Sequence, residues 1–365
     1  MGRESWRNLD LSLLVVTVVL IAIGVVAGYS ATINTAGLES LTYRQVVYAI
    51  IGFIVMIILA FVDYRFLANI QRPLYVLVIV VLAILLGVGQ IRFGAQRWID
   101  TQFFPIQPAE IAKILIIVVL AKYLTNNIEM MGYFQHIIFS LLFILPPVLL
   151  IFFQPALGTS ISIAAVWLGM VFAAGARVWH LAVLSLGGVV ALPLLWMVMQ
   201  DYMRQRIYTF VNPLSDPLGA GYNVIQARIA IGSGGIWGTG FTHGSQSQLH
   251  FLRVRHTDFI FSVIGEELGF VGGIIVFVLI LFMLWRITRA ASISRDPFGY
   301  LIACGVATII FFQTVVNVGM NLGLMPITGI PLPFISSGGS SLVTFLVGLG
   351  LVQSVVVHHK RLDFQ

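Results

Sequence analysis

The sequence predicts an all-α polytopic membrane protein, a single domain over residues 1–365 with about ten transmembrane helices. Composition gives the class. Of the residues 59% are hydrophobic and 9% charged, and the mean hydropathy is +1.00, a balance beyond that of water-soluble domains. Length gives the spans, because apolar runs near 20 residues recur and each can cross a hydrocarbon core about 30 Å thick. An interruption gives the layout. From Gln200 to Thr257 the apolar pattern fails, which predicts a long structured extracellular loop, residues 200–257, between the seventh and eighth spans.

In chain order the spans fall at 11–30, 46–62, 73–90, 108–124, 136–153, 157–174, 179–199, 258–287, 299–323 and 334–357. The first follows Arg3 and Arg7 but is long for the apolar core of a cleaved signal, so it reads as a retained anchor. Charge in the short loops sets the orientation. With the N-terminus inside, inner segments carry Arg3, Arg7, Arg65, Arg72, Lys122, Arg177, Arg286, Arg289, Arg295, Lys360 and Arg361, and the short outer loops Arg44, Arg92 and Arg97. Eleven against three places both termini in the cytoplasm. The net charge of +6 is mostly this topology signal and implies no nucleic-acid partner. Arg204, Arg206, Arg228, Arg253 and Arg255 fall in the long outer segment, where the rule has little force, and need another reason. A single cysteine, Cys304, excludes an intramolecular disulfide.

After span 3, IRFGAQRWIDTQFFPIQPAEIAK places Arg92, Arg97, Trp98 and Asp100 at the outer interface, where Trp98 suits a headgroup-level anchor or a substrate contact. Pro108 suits the first turn of span 4. Glu110 and Lys113, three apart, share a face about one turn inside it. A charged pair there marks either a functional site or a self-contained ion pair. The segment 200–257 holds Tyr202, Tyr208, Phe210, Tyr222, Trp237, Phe241 and Phe251, too aromatic for disorder. Short amphipathic helices are expected in it, one near Tyr222 to Ile231. Its run GSGGIWGTG lacks the strand and helix context of a nucleotide loop.

The most informative stretch is GSQSQLHFLRVRHTDFIFSVIGEELGFVGG, Gly244 to Gly273. A helix starting near Asp258 would put Ser262, Gly265, Gly269 and Gly272 on one face. A carboxylate would then head a nearly side-chain-free groove, with Arg253, Arg255 and His256 just upstream. That suits an anionic, lipid-bearing substrate; an acid favoured by the helix dipole, followed by small residues for close packing, fits too. In span 9, Gln313, Asn317 and Asn321 form a polar stripe that either glues helices or lines a wet cavity. ITGIPLPFISSGGSS, Ile327 to Ser341, breaks the helix where span 10 should begin, and such backbone needs protein or a cavity to satisfy it. No His, Cys and carboxylate cluster has zinc-site spacing, and no internal repeat is visible.

Residues 221–269, with GAQRWID, IQPAEIAK, QPALGTS and NLGLMPITGIPLPFISSGGSS in order, resemble the SEDS family of bacterial cell-wall polymerases over nearly the whole chain. SQSQLHF before RHTDF resembles its elongation branch, with the division branch the nearest alternative. The resemblance implies a peptidoglycan glycosyltransferase acting on lipid II, with an undecaprenyl-diphosphate-linked glycan growing at the outer face of the bacterial cytoplasmic membrane. It places the family's essential acid on Asp258, its helix 4 pair on Glu110 and Lys113, and its Arg-Trp pair on Arg97 and Trp98; Arg255 and His256 adjoin the acid. It also implies a divalent cation, Mg or Mn, with no ligands assignable, and a class B penicillin-binding protein as crosslinking partner. Two departures stand out: Ala156 where the family commonly has aspartate, and Arg253-Val254 in place of Pro-Glu.

On this reading Asp258 is the general base toward the acceptor hydroxyl. One carboxylate suffices because the leaving diphosphate is already a good anion, unlike the leaving groups of ordinary glycosides. Outer arginines and Lys113 would hold the diphosphate, and the lipid tails would lie in a groove open to membrane lipid. A lipid II flippase would instead want an inverted repeat and a polar path through the midplane. Here Glu266 and Glu267 lie about 12 Å below Asp258 by helical rise, so the ionisable groups gather toward the outer half. A non-catalytic scaffold would leave Asp258 dispensable. For the partner, spans 8 and 9 are the expected surface, since Gly272 and Gly273 precede an apolar run from Ile274 to Trp285. The same glycines could equally pack within the chain.

Overall fold

The computed structural model describes residues 8–33, 39–88, 90–92, 95–100, 105–215, 219–249, 251–252 and 256–359. In chain order the helices are α1 (Leu11–Thr32), α2 (Glu39–Phe61), α3 (Arg65–Asn69), α4 (Gln71–Val88), α5 (Pro108–Asn126), α6 (Phe134–Phe153), α7 (Leu157–Ala173) and α8 (Val178–Val190). There follow α9 (Leu192–Val198), α10 (Asp201–Val211), α11 (Ala220–Ser233), α12 (Ser245–Gln248), α13 (Ile260–Glu267), α14 (Gly269–Ile293), α15 (Pro297–Asn321) and α16 (Gly339–Val357). Among the described residues α1, α2, α6, α14, α15 and α16 are each long and apolar enough to cross a membrane, and α4, α7 and α8 are shorter apolar helices. α5 has the length but carries Glu110, Lys113 and Lys122. Predicted span 7 is divided at Ala191, just ahead of Pro193, whose ring cannot continue the hydrogen-bond ladder.

α15 and α16 form the centre. α15 packs against α5, α7, α14 and α16, while α16 runs along α2 and touches α5 and α14. Leu301, Ile302, Val306, Ile309 and Ile310 share one buried cluster with Phe345, Leu346, Leu349 and Val352. Lipid tails are as apolar as leucine, so close van der Waals packing, not exclusion of water, selects this arrangement. α8 lies at the margin beside α7 and α9, exposing Val178, Trp179, Leu186 and Val190.

Two carboxylates close the end of the bundle away from the 200–257 segment. Asp10 caps α1 by accepting from Leu13 N at 3.0 Å, and its Oδ2 pairs with Arg286 Nη2 at 2.7 Å. Gln353 of α16 donates to the Asp10 carbonyl at 2.9 Å. Asp296 caps α15 through Gly299 N at 2.9 Å, and accepts from the Tyr64 hydroxyl and from Arg65 Nε at 3.3 Å.

At the other end, hereafter the loop side, the chain adds an antiparallel ribbon that the sequence reading did not anticipate: β1 (Gln90–Arg92), β2 (Ala95–Asp100) and β3 (Pro105–Ile106). β2 lies beside α4 and α5, and β3 beside α16. α11 covers the helix expected near Tyr222 to Ile231, and α10 and α12 add two more short helices to the same segment.

Candidate active site

The glycine groove expected beneath Asp258 does not form. Asp258 stands in a turn over 256–259, and α13 starts at Ile260. α13 ends at Glu267, and α14 starts afresh at Gly269 with φ +65°. The loop fills the space. A Cβ on Gly238 would overlap the carbonyl of Glu267, and one on Gly269 would overlap the backbone of Gly238 and Ile236. Main chain meets main chain here. Thr239 N and Gly240 N donate to the carbonyls of Glu266 and Glu267 at 2.9 and 3.1 Å, and Phe270 N donates to the Gly235 carbonyl at 2.9 Å. GSGGIWGTG is therefore a packing element for α13, and its small residues permit the backbones to touch.

Glu266 and Glu267 belong to the same latch. The Glu266 carboxylate accepts from Gln246 N at 2.7 Å and Ser247 N at 3.0 Å, satisfying donors at the start of α12 that would otherwise be orphaned. Glu267 accepts from the Ser30 hydroxyl of α1, and Gln248 Nε2 donates to the Ser30 carbonyl at 3.0 Å. Both carboxylates are buried and hold the loop to the bundle.

The turn bearing Asp258 is held by its carbonyls, three in succession. Ser337 N donates to the His256 carbonyl at 3.0 Å, and Ser336 Oγ to that of Thr257 at 2.7 Å. Asn317 and Asn321 Nδ2 both donate to that of Asp258, at 3.1 and 3.0 Å. The two readings left open for the polar stripe thus resolve toward glue for Asn317 and Asn321. The irregular backbone after Ile330 satisfies itself on this turn and on α2, where Gln45 Nε2 donates to the Ile335 carbonyl at 3.1 Å.

Asp258 itself is partly buried. A Cβ placed on Gly329 would lie 3.7 Å from Asp258 Oδ2 and 3.7 Å from Arg206 Nη1. The carboxylate and the guanidinium thus both approach the same bare glycine. Arg206 comes from amphipathic α10, where it lies 5.6 Å over the Tyr202 ring. Sequence reasoning noted the outer arginines but did not single this one out; the Tyr202–Arg206 spacing, one helical turn, was its signal.

Lys113 Nζ lies 2.8 Å from Glu110 Oε2, both side chains buried, and 5.6 Å over the Phe345 ring of α16. Glu110 is its ion-pair partner among the described residues. Ser340 Oγ accepts from Gln107 N at 3.1 Å, so the segment that clamps His256 also anchors the start of α5. Arg97 and Trp98 lie on β2, with Trp98 opposite Gln90, and their side chains fall outside the described ones. Arg255 lies outside the described residues altogether.

The FtsW/RodA/SpoVE family model, cell cycle protein, matches residues 10–361. The chain belongs to this family. Among its relatives, peptidoglycan glycosyltransferase MrdB of Escherichia coli K12 is 38% identical over 358 residues, covering 98% of this chain and 95% of that one. A chain of a peptidoglycan synthase complex, solved for its coordination of polymerization and crosslinking, superimposes with a TM-score of 0.79 at 33% identity. That match covers 95% of this chain and 97% of the other. The rod shape determining protein RodA of Thermus thermophilus gives a TM-score of 0.70 at 32% identity, over 95% and 96% of the two chains. The family match runs from the Asp10 cap through the last residues of α16, and so includes the latch, the clamp and Gly329.

Proposed function

We propose that this chain is a peptidoglycan glycosyltransferase that polymerises lipid II into glycan strands during cell elongation, with Asp258 as the general base. The observation that carries the residue assignment is the Asp258 carboxylate approaching, with the Arg206 guanidinium, the bare Gly329 from a turn fixed by its main chain. The acceptor sugar hydroxyl would give its proton to Asp258 as its oxygen bonds to the anomeric carbon of the donor. The bond from that carbon to the diphosphate breaks, and the electron pair leaves with undecaprenyl diphosphate. Arg206 is placed to meet the charge that grows on the leaving oxygens. Lys113 is already paired with Glu110, so these two, with Arg97, Trp98, Arg255 and His256, are assigned to lining the substrate's path. Among the described residues no three His, Cys, Asp or Glu side chains gather into a cation site, and no step is routed through Mg or Mn.

The short-loop charge supports a loop side facing outward and both termini in the cytoplasm. The decisive test is polymerisation of purified lipid II. Asp258→Asn is expected to lose roughly 10²–10⁴-fold in rate, the share a general base supplies, with thermal stability in detergent retained. Polymer made at the wild-type rate by this variant would remove Asp258 as the base.

A class B penicillin-binding protein is the proposed partner, seated on α14. Phe270, Ile274, Val278, Leu281 and Trp285 are exposed along one stripe of that helix. α15 is mostly buried and offers Phe311 and Val315. A Cβ on Gly273 would lie 3.5 Å from the Phe261 ring of α13, so this glycine faces packing within the chain. Ile274→Trp, Val278→Trp and Leu281→Trp are expected to reduce co-purification of the partner several-fold while the protein still folds. Full recovery of the partner by all three would place its helix elsewhere.

A further inference from the structure

Asn317 and Asn321 do more than join α15 to α13. Both side chains are fully buried, and each is divided between Asp258 and a second structural feature. Asn321 Nδ2 donates to the Asp258 carbonyl at 3.0 Å, while its Oδ1 accepts from Ser262 N at 3.2 Å and Ser262 Oγ at 2.6 Å. Ser262 N is among the first donors of α13, whose own N-cap, Phe259, supplies no side-chain acceptor. Ser262 N also donates to the Phe259 carbonyl at 3.0 Å, so the end of α15 adds a second acceptor at the start of α13 from across the interface. Asn317 Nδ2 donates at once to the Asp258 carbonyl, 3.1 Å, and to the Ile330 carbonyl, 2.8 Å. Ile330 follows Gly329, which both Asp258 and Arg206 approach. One amide thus ties the Asp258 turn to the Gly329–Ile330 segment.

We propose that Asn317 and Asn321 are positioning residues for the transfer step: they set the Asp258 carboxylate through its main chain, and Asn317 also ties that turn to the Gly329–Ile330 segment. This rests on the reading of Asp258 as the base. A displacement of about 1 Å at a reacting group can cost on the order of 10²-fold in rate, so a donor pair on the carbonyl next to the base has leverage on kcat. Asn321→Asp retains an acceptor for Ser262 but removes the donor to Asp258. Asn317→Ala removes the tie between the Asp258 and Ile330 carbonyls. Ser262→Ala removes one hydrogen bond to Asn321 and leaves both donors to Asp258.

The experiment is steady-state polymerisation of lipid II by the full chain with its partner, with a melting curve for each variant. Expected is a 10- to 100-fold fall in kcat for Asn321→Asp and Asn317→Ala at unchanged KM, with Ser262→Ala near wild type. The inference is overturned by wild-type kcat in Asn317→Ala and Asn321→Asp. It is overturned equally by an equal loss in Ser262→Ala, or by losses that follow the unfolded fraction, because the amides would then be glue alone. Should Asp258→Asn prove active, the proposed function falls first; should it be dead while both asparagine variants stay intact, only the present inference falls.

Discussion

At the closed end of the bundle, Asp10 and Asp296 commit their side chains to structure. Each caps a helix, and each is paired with an arginine, Arg286 or Arg65. On the loop side, the main chain of Asp258 is itself an anchor, its carbonyl taking two amide donors, and its carboxylate lies beside Gly329. Glu266, eight positions on, follows the closed-end pattern, its carboxylate consumed by two backbone N–H groups. A carboxylate that anchors structure offers its oxygens to the fold. One proposed to do chemistry needs its backbone anchored by other groups. Composition and spacing do not separate these two uses, and the contacts of the main chain do.

The contrast can be tested where its largest energies lie. Lys113 and Glu110 are a buried pair inside a helix, and breaking such a pair by removing one partner costs roughly 3–5 kcal/mol. Lys113→Met and Glu110→Gln are each expected to lower stability by that order, and the double variant by less than either. Additive losses measured in detergent unfolding would show that the two groups do not depend on each other. A smaller effect is expected at Asp296, whose replacement by alanine removes a cap and a charge-assisted bond, about 2–3 kcal/mol together. Polymerisation per folded molecule should be unchanged, the inverse of Asp258→Asn. Loss of turnover in folded Asp296→Ala would break the distinction between the two ends.

Much of this was legible in the chain. The apolar runs gave the membrane helices because twenty-residue runs have few other uses, and Glu110 and Lys113 declared their pairing by a three-residue spacing. The start of α13 was misplaced for a physical reason. A face of Ser262, Gly265, Gly269 and Gly272 looks like one continuous helix until Gly238, thirty-one residues upstream in sequence, arrives to touch Gly269 backbone to backbone. Only long-range packing decides that, although the glycines were present in both segments. The ribbon was missed because its strands are short, β3 covering only Pro105–Ile106, and lie between strong helical signals. Asn317 and Asn321 were found as a stripe, but their target was not, since the carbonyl of a distant turn leaves no mark in sequence.

The smallest effect concerns Tyr64, and it sharpens the same comparison through pH. Burial, then the hydrogen bond to Asp296, raises its phenol from the ordinary 10.0 to about 12. Its folded value lies above its unfolded one, so the neutral phenol is favoured by folding. The resulting stability is complete below pH 10, declines between pH 10 and about 12, and is gone above that. The difference in melting temperature between wild type and Tyr64→Phe should therefore narrow across that window and be flat below it. The neighbouring Asp296 cap keeps Gly299 N in either case, so only the phenol's share is removed. A difference that stays constant through pH 12 would mean that the Tyr64 hydroxyl is not coupled to Asp296, and the closed end would then lose one of the contacts that distinguish it from the loop side.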